Sequence, residues 1–226
     1  MDLRQAITER HSVRKYTDKP IAEKDIMILQ EAVLKHNAEN GLHIQLVLDE
    51  PKAFSKGILN YGIFTGVRNY FVMAGPKDKT SQERIGYCGE KLVLLAQTLG
   101  LNTCWVGLTF KKIKEAIILS DGEKIHSVIA LGYGENQGVQ HPIKPVEKFC
   151  ENLTSATLPE WFKEGVKAAI LAPTAVNQQK FKFILHPDNK VEAKSLFSLI
   201  GYTHIDLGIA KCHFEIAAGQ ENFTWR

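Results

Sequence analysis

The chain lacks any apolar run approaching the ~18 residues needed to cross a bilayer. Its first residues, MDLRQAITERHSVRKYTDK, carry charge throughout and hold no apolar core of a secretory leader. Four cysteines, Cys88, Cys104, Cys150 and Cys212, lie far apart without a CxxC pair, and the eight histidines include no HExxH or similar ligand spacing. A metal centre is not indicated, and the expected location is the cytoplasm. No Lys/Arg block tracks a nucleic-acid backbone, and the net charge of +3 suits a small anionic ligand better than DNA. The glycines of GYGENQG (132–138) miss the dinucleotide-binding spacing, and Pro142 and Pro145 follow where that motif needs a helix. Cys212 and His213 adjoin, but helix neighbours point about 100° apart, so they form no nucleophile-base pair.

What is present is enough for a full core: 226 residues, 44% hydrophobic, forming one large domain or two packed halves. A first helix starts at Leu3. Pro20 and Glu23 open a second that runs to about Lys35, with Ile26, Leu29, Val33 and Leu34 on one face. HIQLVLD (43–49), NYFVMAG (69–75), NTCWVGL (102–108) and HSVIALGYG (126–134) read as strands, and KLVLLAQTLG (91–100) as a helix closed by glycine. ENQGVQHPIKPVEK (135–148) is rich in Gly and Pro and reads as a connector or surface arm. Beyond it, LAPTAVNQQKFKF (171–183) stops a helix at a proline, crosses a polar loop and re-enters as a strand.

This second helix-loop-strand unit lies without a gap on the first. Residues 29–49 over 166–186 match Ala32 to Ala169, Leu34 to Leu171, Ala38 to Ala175, Asn40 to Asn177 and Leu48 to Leu185. IGYCGEKL (85–92) matches IGYTHIDL (200–207), and TCW (103–105) matches FTW (223–225) after a short insertion. The pattern predicts an internal duplication, although shared helix-loop-strand grammar gives matches of this kind too. The first copy keeps RHSVRKY but lacks the loop proline; the second keeps APTAVNQ but has SATLPEWFKEG in place of the basic segment.

Arg10, Ser12 and Arg14 set two guanidinium groups and a hydroxyl within five residues, the donors a phosphate dianion wants. Alone, the segment reads as a solvated basic turn. In the loop, Pro173 ends the helix, Thr174 offers a hydroxyl, and Asn177 and Gln178 offer amides that suit the rim of a flat heterocycle and a polyol chain. Alone, it reads as a helix stop and an Asn turn. Trp105 and Trp225 read as core residues.

Taken together, RHSVRKYTDKPI, the APTAVNQQ loop, LGLNTCWVG and ALGYG resemble the nitroreductase (FMN-dependent NAD(P)H oxidoreductase) family over nearly the whole chain. Ordinary members are homodimers with flavin at the interface, the Arg-x-Ser-x-Arg/Lys segment from one subunit and the Pro-Ser-x-x-Asn-x-Gln loop from the other. With GVRNYFVMAG, TCWVGLTF and DLGIAKCHFE, the likeness is to single-chain pseudo-dimers with one flavin site. The resemblance implies an α+β fold, an antiparallel-rich mixed sheet flanked by helices, with halves at 1–149 and 150–226 in one unit. It implies FMN held at its phosphate and ribityl chain by Arg10, His11, Ser12 and Arg14, with Lys144 adding charge at the phosphate. Pro173, Thr174, Ala175, Asn177 and Gln178 would border the ring and ribityl chain, and Gly107 and Leu108 would lie by N5 and O4. No side chain is then catalytic, because the flavin carries the chemistry. The implied reductant is NAD(P)H, the acceptor a nitroaromatic or quinone, and the protein a monomer without nucleic-acid or membrane partners. A flavin-binding module without turnover, and a protein-binding scaffold without flavin, are the alternatives. Where the family loop continues Gln-Pro-Trp, this chain reads Gln178, Gln179, Lys180, Phe181.

Overall fold

Asp2 caps helix α1 (Leu3–Glu9), its carboxylate accepting from Gln5 N at 2.8 Å. Helix α2 (Glu23–Asn40) runs a turn past the expected end and stops where Gly41 takes the left-handed conformation, φ 60°. Asn37, in its last turns, bonds both N–H and C=O of Ile44 at 2.7 and 2.8 Å, which delivers the chain into the short strand β1 (Gln45–Val47). The computed structural model describes residues 1–55, 64–154 and 157–226, so Ser155 and Ala156 of SATLPEWFKEG lie outside the described residues.

Strands β2 (Asn69–Pro76), β3 (Asn102–Val106) and β4 (Glu123–Gly132) complete a first sheet in the order β1-β2-β4-β3, antiparallel throughout. Its centre is covered on both faces. Phe71, Met73, Ile129 and Leu131 meet α2 and helix α3 (Lys79–Thr98), while Tyr70, Val72, Ala74 and Val128 meet Ala53 and Ile117. This is why NYFVMAG reads as a continuous apolar run rather than an alternating one. Helix α3 starts twelve residues before the expected one, at an Asp78 cap bonded to Ser81 N at 2.8 Å; KTSQERIGYCGE is too polar and glycine-containing to announce it.

The fold is α+β, but one mixed sheet is replaced by two. Strands β5 (Cys150–Asn152), β6 (Phe181–His186), β7 (Lys190–Ser195) and β8 (Thr224–Trp225) form a second sheet in that order, parallel at β5-β6 and β7-β8 and antiparallel at β6-β7. Phe181, Phe183, Leu185 and Val191 give β6 and β7 an apolar face of their own. It is buried against helices α4 (Glu160–Ile170) and α5 (Thr203–Ala218) through Phe162, Val166, Ile209 and Phe214. Among the described residues no helix is long and apolar enough to cross a membrane.

Helices α3 and α5 cross at two glycines. A Cβ on Gly86 would stand 2.0 Å from the Ile205 carbonyl oxygen, and one on Gly208 would stand 2.0 Å from that of Glu83. Each helix thus receives the other's carbonyl at a glycine and offers its own three residues earlier. This pairs Gly86 with Gly208. Of the matched segments IGYCGEKL and IGYTHIDL, Ile200 and Gly201 precede α5 whereas Ile85 and Gly86 lie inside α3.

Candidate functional site

Past α1 the chain runs extended along β3: Val13 N donates to Thr103 O at 3.0 Å and Ser12 bridges Thr103 in parallel. Tyr16 N and Thr17 N then bond Thr65 O and Tyr133 O at 2.9 and 2.8 Å. The segment is therefore fixed by its backbone, and its side chains go to different places. Arg14 is exposed, whereas Arg10 is buried and turned toward Glu90, its Nε 3.8 Å from Oε1. The Arg10 Nε–H has no hydrogen-bond partner.

Glu90, on α3, is fully buried. Its Oε1 lies 2.9 Å from His213 Nε2 and its Oε2 accepts from the Trp105 indole at 2.8 Å. Burial pushes its carboxyl up, but the His213 bond and charge, Arg10 and Trp105 outweigh that and hold it below the usual carboxylate range. His213 Nδ1 faces Ala168 O at 3.1 Å, so both ring nitrogens face oxygens.

The arm expected at 135–148 lies over this region and reaches the loop after α4. Glu135 N bonds Lys15 O at 2.9 Å, and Gly138 (φ 72°) passes so close to His11 that a Cβ there would sit 2.9 Å from the His11 Cβ. Farther along, His141 Nε2 bonds Leu171 O at 3.3 Å and Pro142 O accepts from Asn177 Nδ2 at 3.1 Å. The Lys144 ammonium bonds Gln178 O at 3.2 Å, so it serves the loop backbone. Burial, with the charge of Arg10, lowers the pKa of His11 below its ordinary value.

The loop after α4 is tightly wound. Pro173 is buried, Thr174 Oγ1 accepts from Gln179 N at 3.0 Å, and Val176, Asn177 and Gln179 take positive φ of 46°, 54° and 49°. Beneath it sits Asp206, in the first turn of α5, accepting from Ala175 N at 3.0 Å and from Gln178 Nε2 at 2.6 Å. Gln178 Nε2 also reaches Gly201 O at 2.9 Å. Burial raises the Asp206 pKa to about 6, against the opposing effect of these two donors. The amide oxygens of Asn177, Gln178 and Gln179 are buried with no partner. Next to the loop, Tyr202 Oη donates to Gly107 O at 3.1 Å, and its ring fills the space a Cβ on Gly107 would take; Leu108 beyond is 76% exposed.

The two segments singled out in the sequence thus reach one neighbourhood, linked by the arm and by the Tyr202 to Gly107 contact. A cavity of about 420 Å³ opens elsewhere, between Thr17, Lys19, Ile26, Asp49, Arg68 and Gly132, and none of the singled-out residues lines it.

A family model described as "Putative TM nitroreductase" matches residues 2–218. The chain belongs to that family. This nitroreductase-family protein is accordingly an oxidoreductase enzyme. A solved "putative nitroreductase" from Thermotoga maritima is similar, with a TM-score of 0.61 and 23% identity over 96% of this chain and 83% of that one. A like-named protein from Desulfovibrio desulfuricans, in complex with FMN, has a TM-score of 0.54 and 18% identity over 70% of this chain and 99% of its own. One from Parabacteroides distasonis, named as a putative NADH dehydrogenase/NAD(P)H nitroreductase, has a TM-score of 0.52 and 20% identity over 65% and 95%. No curated protein matches.

In this nitroreductase-family chain, sequence reading missed Asp206, Glu90, His213 and Tyr202. Asp206 and His213 stand in DLGIAKCHF, polar positions in an otherwise apolar helix; that was the available signal, because a buried polar side chain must find a partner. Nothing local marks Glu90, which reads as one more solvated helix carboxylate.

Proposed function

We propose that the protein is an FMN-dependent oxidoreductase that passes hydride from NAD(P)H to a nitroaromatic or quinone-type acceptor, working as a single-chain pseudo-dimer with halves at 1–149 and 150–226. The observation that carries this reading is the complementary set of unpaired buried polar atoms. A guanidinium N–H of Arg10 waits in the first half, and three amide oxygens of Asn177, Gln178 and Gln179 wait in the second. Buried polar groups are left without partners at a cost of about 1–3 kcal/mol each, so unpaired atoms in both segments argue for a ligand. FMN fits the chemistry: its phosphate takes donors such as Arg10, with Ser12, Arg14 and His11 in the same segment, and its uracil-like edge and ribityl hydroxyls supply donors to amide oxygens.

When bound, FMN supplies the redox chemistry. The residues of the chain hold and orient. Arg10 is kept beside Glu90, Thr174 and Pro173 fix the loop, Ala175 is pinned by Asp206, and Tyr202 fixes the Gly107 carbonyl with Leu108 at the rim. The reciprocal glycine contact of α3 and α5 supports the pseudo-dimer. The absent Pro-Trp pair leaves Lys180 exposed and Phe181 in the core, so the side of the site after Gln178 differs from the usual family loop.

The test is the visible spectrum of the purified protein, followed by identification of any released chromophore. Oxidised-flavin bands with about one FMN per chain are expected. A colourless protein that also fails to take up added FMN overturns the reading, and flavin without NAD(P)H turnover toward any acceptor reduces it to a flavin-binding module.

A further inference from the structure

The Gln178 amide has a defined orientation, although the oxygen and nitrogen of an amide are hard to tell apart by shape. Two acceptors surround one of its ends: Gly201 O at 2.9 Å and Asp206 Oδ2 at 2.6 Å. Neither a carbonyl nor a carboxylate donates, so that end is the nitrogen and the other is the oxygen. The oxygen is buried and has no partner. Asp206 is thus the group that dictates what Gln178 offers, and it also ties down Ala175 N, the backbone beside it, with its other oxygen at 3.0 Å. Its own side chain is 2% exposed, so water does not compete for it.

We propose that Asp206 is a positioning residue that fixes Gln178 as a hydrogen-bond acceptor, so that this part of the site selects a ligand edge carrying an N–H donor. The inference rests on the FMN reading above, for an oxidised isoalloxazine ring carries one N–H, at N3, between two carbonyls. Asn177 and Gln179 reinforce the polarity. Their amide nitrogens face Pro142 O at 3.1 and 3.4 Å, which leaves two more unpaired oxygens.

The same arrangement makes the selection pH-dependent. Burial puts the Asp206 pKa near 6, opposed by the Ala175 N–H and the Gln178 amide. The titratable and charged groups packed around it are few. Tyr202 heads its helix with the phenol on Gly107 O, Lys144 of the arm bonds Gln178 O, and Lys211 farther along α5 is paired with Glu83 of α3. Above about pH 6 the carboxylate only accepts; below it, a carboxyl O–H competes for the Gln178 oxygen and releases the amide nitrogen.

The experiment measures equilibrium binding of FMN and of N3-methyl-FMN to the whole protein by quenching of flavin fluorescence, for wild type and for Asp206→Asn, which retains the shape but turns a donor toward Gln178. Wild type is expected to bind N3-methyl-FMN about tenfold more weakly than FMN, the scale of one buried hydrogen bond. In D206N that ratio falls to near one, while FMN affinity drops about tenfold and no longer weakens as pH falls through 6. A D206N that keeps the wild-type ratio, even with both affinities lowered equally, assigns Asp206 a merely structural part and overturns the proposal; so does a wild type that binds both flavins alike. If D206N does not fold, Gln178→Met carries the same comparison, and a ratio retained there overturns the proposal equally. A wild type that binds no FMN refutes the cofactor reading instead.

Discussion

Arg10 shows how one side chain carries the burden of the site. It is 4% exposed, shares Glu90 with His213, and still has an unpaired N–H. Replacing Arg10 and Arg14 together by alanine removes two charge-assisted contacts worth about 3 kcal/mol or more, over a hundredfold in Kd, so the purified variant should release little FMN per chain. Unchanged occupancy would remove the phosphate assignment. Asp206 makes an opposite kind of prediction. Its carboxyl pKa is raised from 3.8 to about 6, so folding favours the neutral form. The stability this brings is fully present below about pH 4 and is lost as pH rises through 6. Over about two units the loss is about 3 kcal/mol. Asp206→Asn should therefore be more stable than wild type at pH 8 by up to about that amount in urea unfolding, the gap closing by pH 4. A residue that weakens the fold while orienting Gln178 is what a binding role would require.

At the scale of elements, the loop after α4 stores strain. Val176 is β-branched, 69% exposed and held at φ 46°, a conformation that costs an L-residue about 1–2 kcal/mol. Val176→Gly should stabilise the fold by about 0.5–1 kcal/mol, seen as a higher melting temperature, once glycine's greater unfolded freedom is set against the relief. A lower melting temperature would show that the Val176 side chain contributes more than the strain costs. The crossing of α3 and α5 responds the other way. Gly208→Ala puts a methyl 2.0 Å from the Glu83 carbonyl oxygen, a backbone atom that cannot swing aside. The helices must separate, and a loss of about 1–3 kcal/mol is expected in the same assay. Legibility also divided by element. The dense apolar run of β2 was plain in the sequence because both faces of its sheet are buried. Strand β7, KVEAKS, was not, because only Val191 among its residues is fully enclosed and the rest is what a loop also contains.

For the whole molecule the governing fact is that α3, α5 and the leading segment share buried charge. Glu90 of α3 meets His213 of α5 and Arg10 of the leading segment where no solvent screens them. Glu90→Ala leaves the buried Arg10 guanidinium without its anion and should cost about 3–5 kcal/mol, enough to threaten the fold. Wild type should unfold in one cooperative transition followed by near- and far-ultraviolet circular dichroism; two separated transitions would show that the halves are independent domains. Since the Glu90 pKa is depressed despite burial, its contribution is present at neutral pH and is lost as pH falls through the carboxylate range.

The sequence by itself determined the local statements: where α1 and α2 start, the stop at Pro173, the apolar strands, the glycine-rich arm, and which two segments carry clustered polar groups. Those follow from short-range rules of periodicity, capping and backbone restriction, which act within a few residues. Tertiary structure alone decided that the strands divide into two sheets, that Arg10 turns into the core while Arg14 stays exposed, and that Asp206, distant in sequence from the loop, fixes the polarity of Gln178. Each of these depends on which partner a polar group or an apolar face finds across the molecule, and that is settled by packing over long separations rather than by the residues alongside.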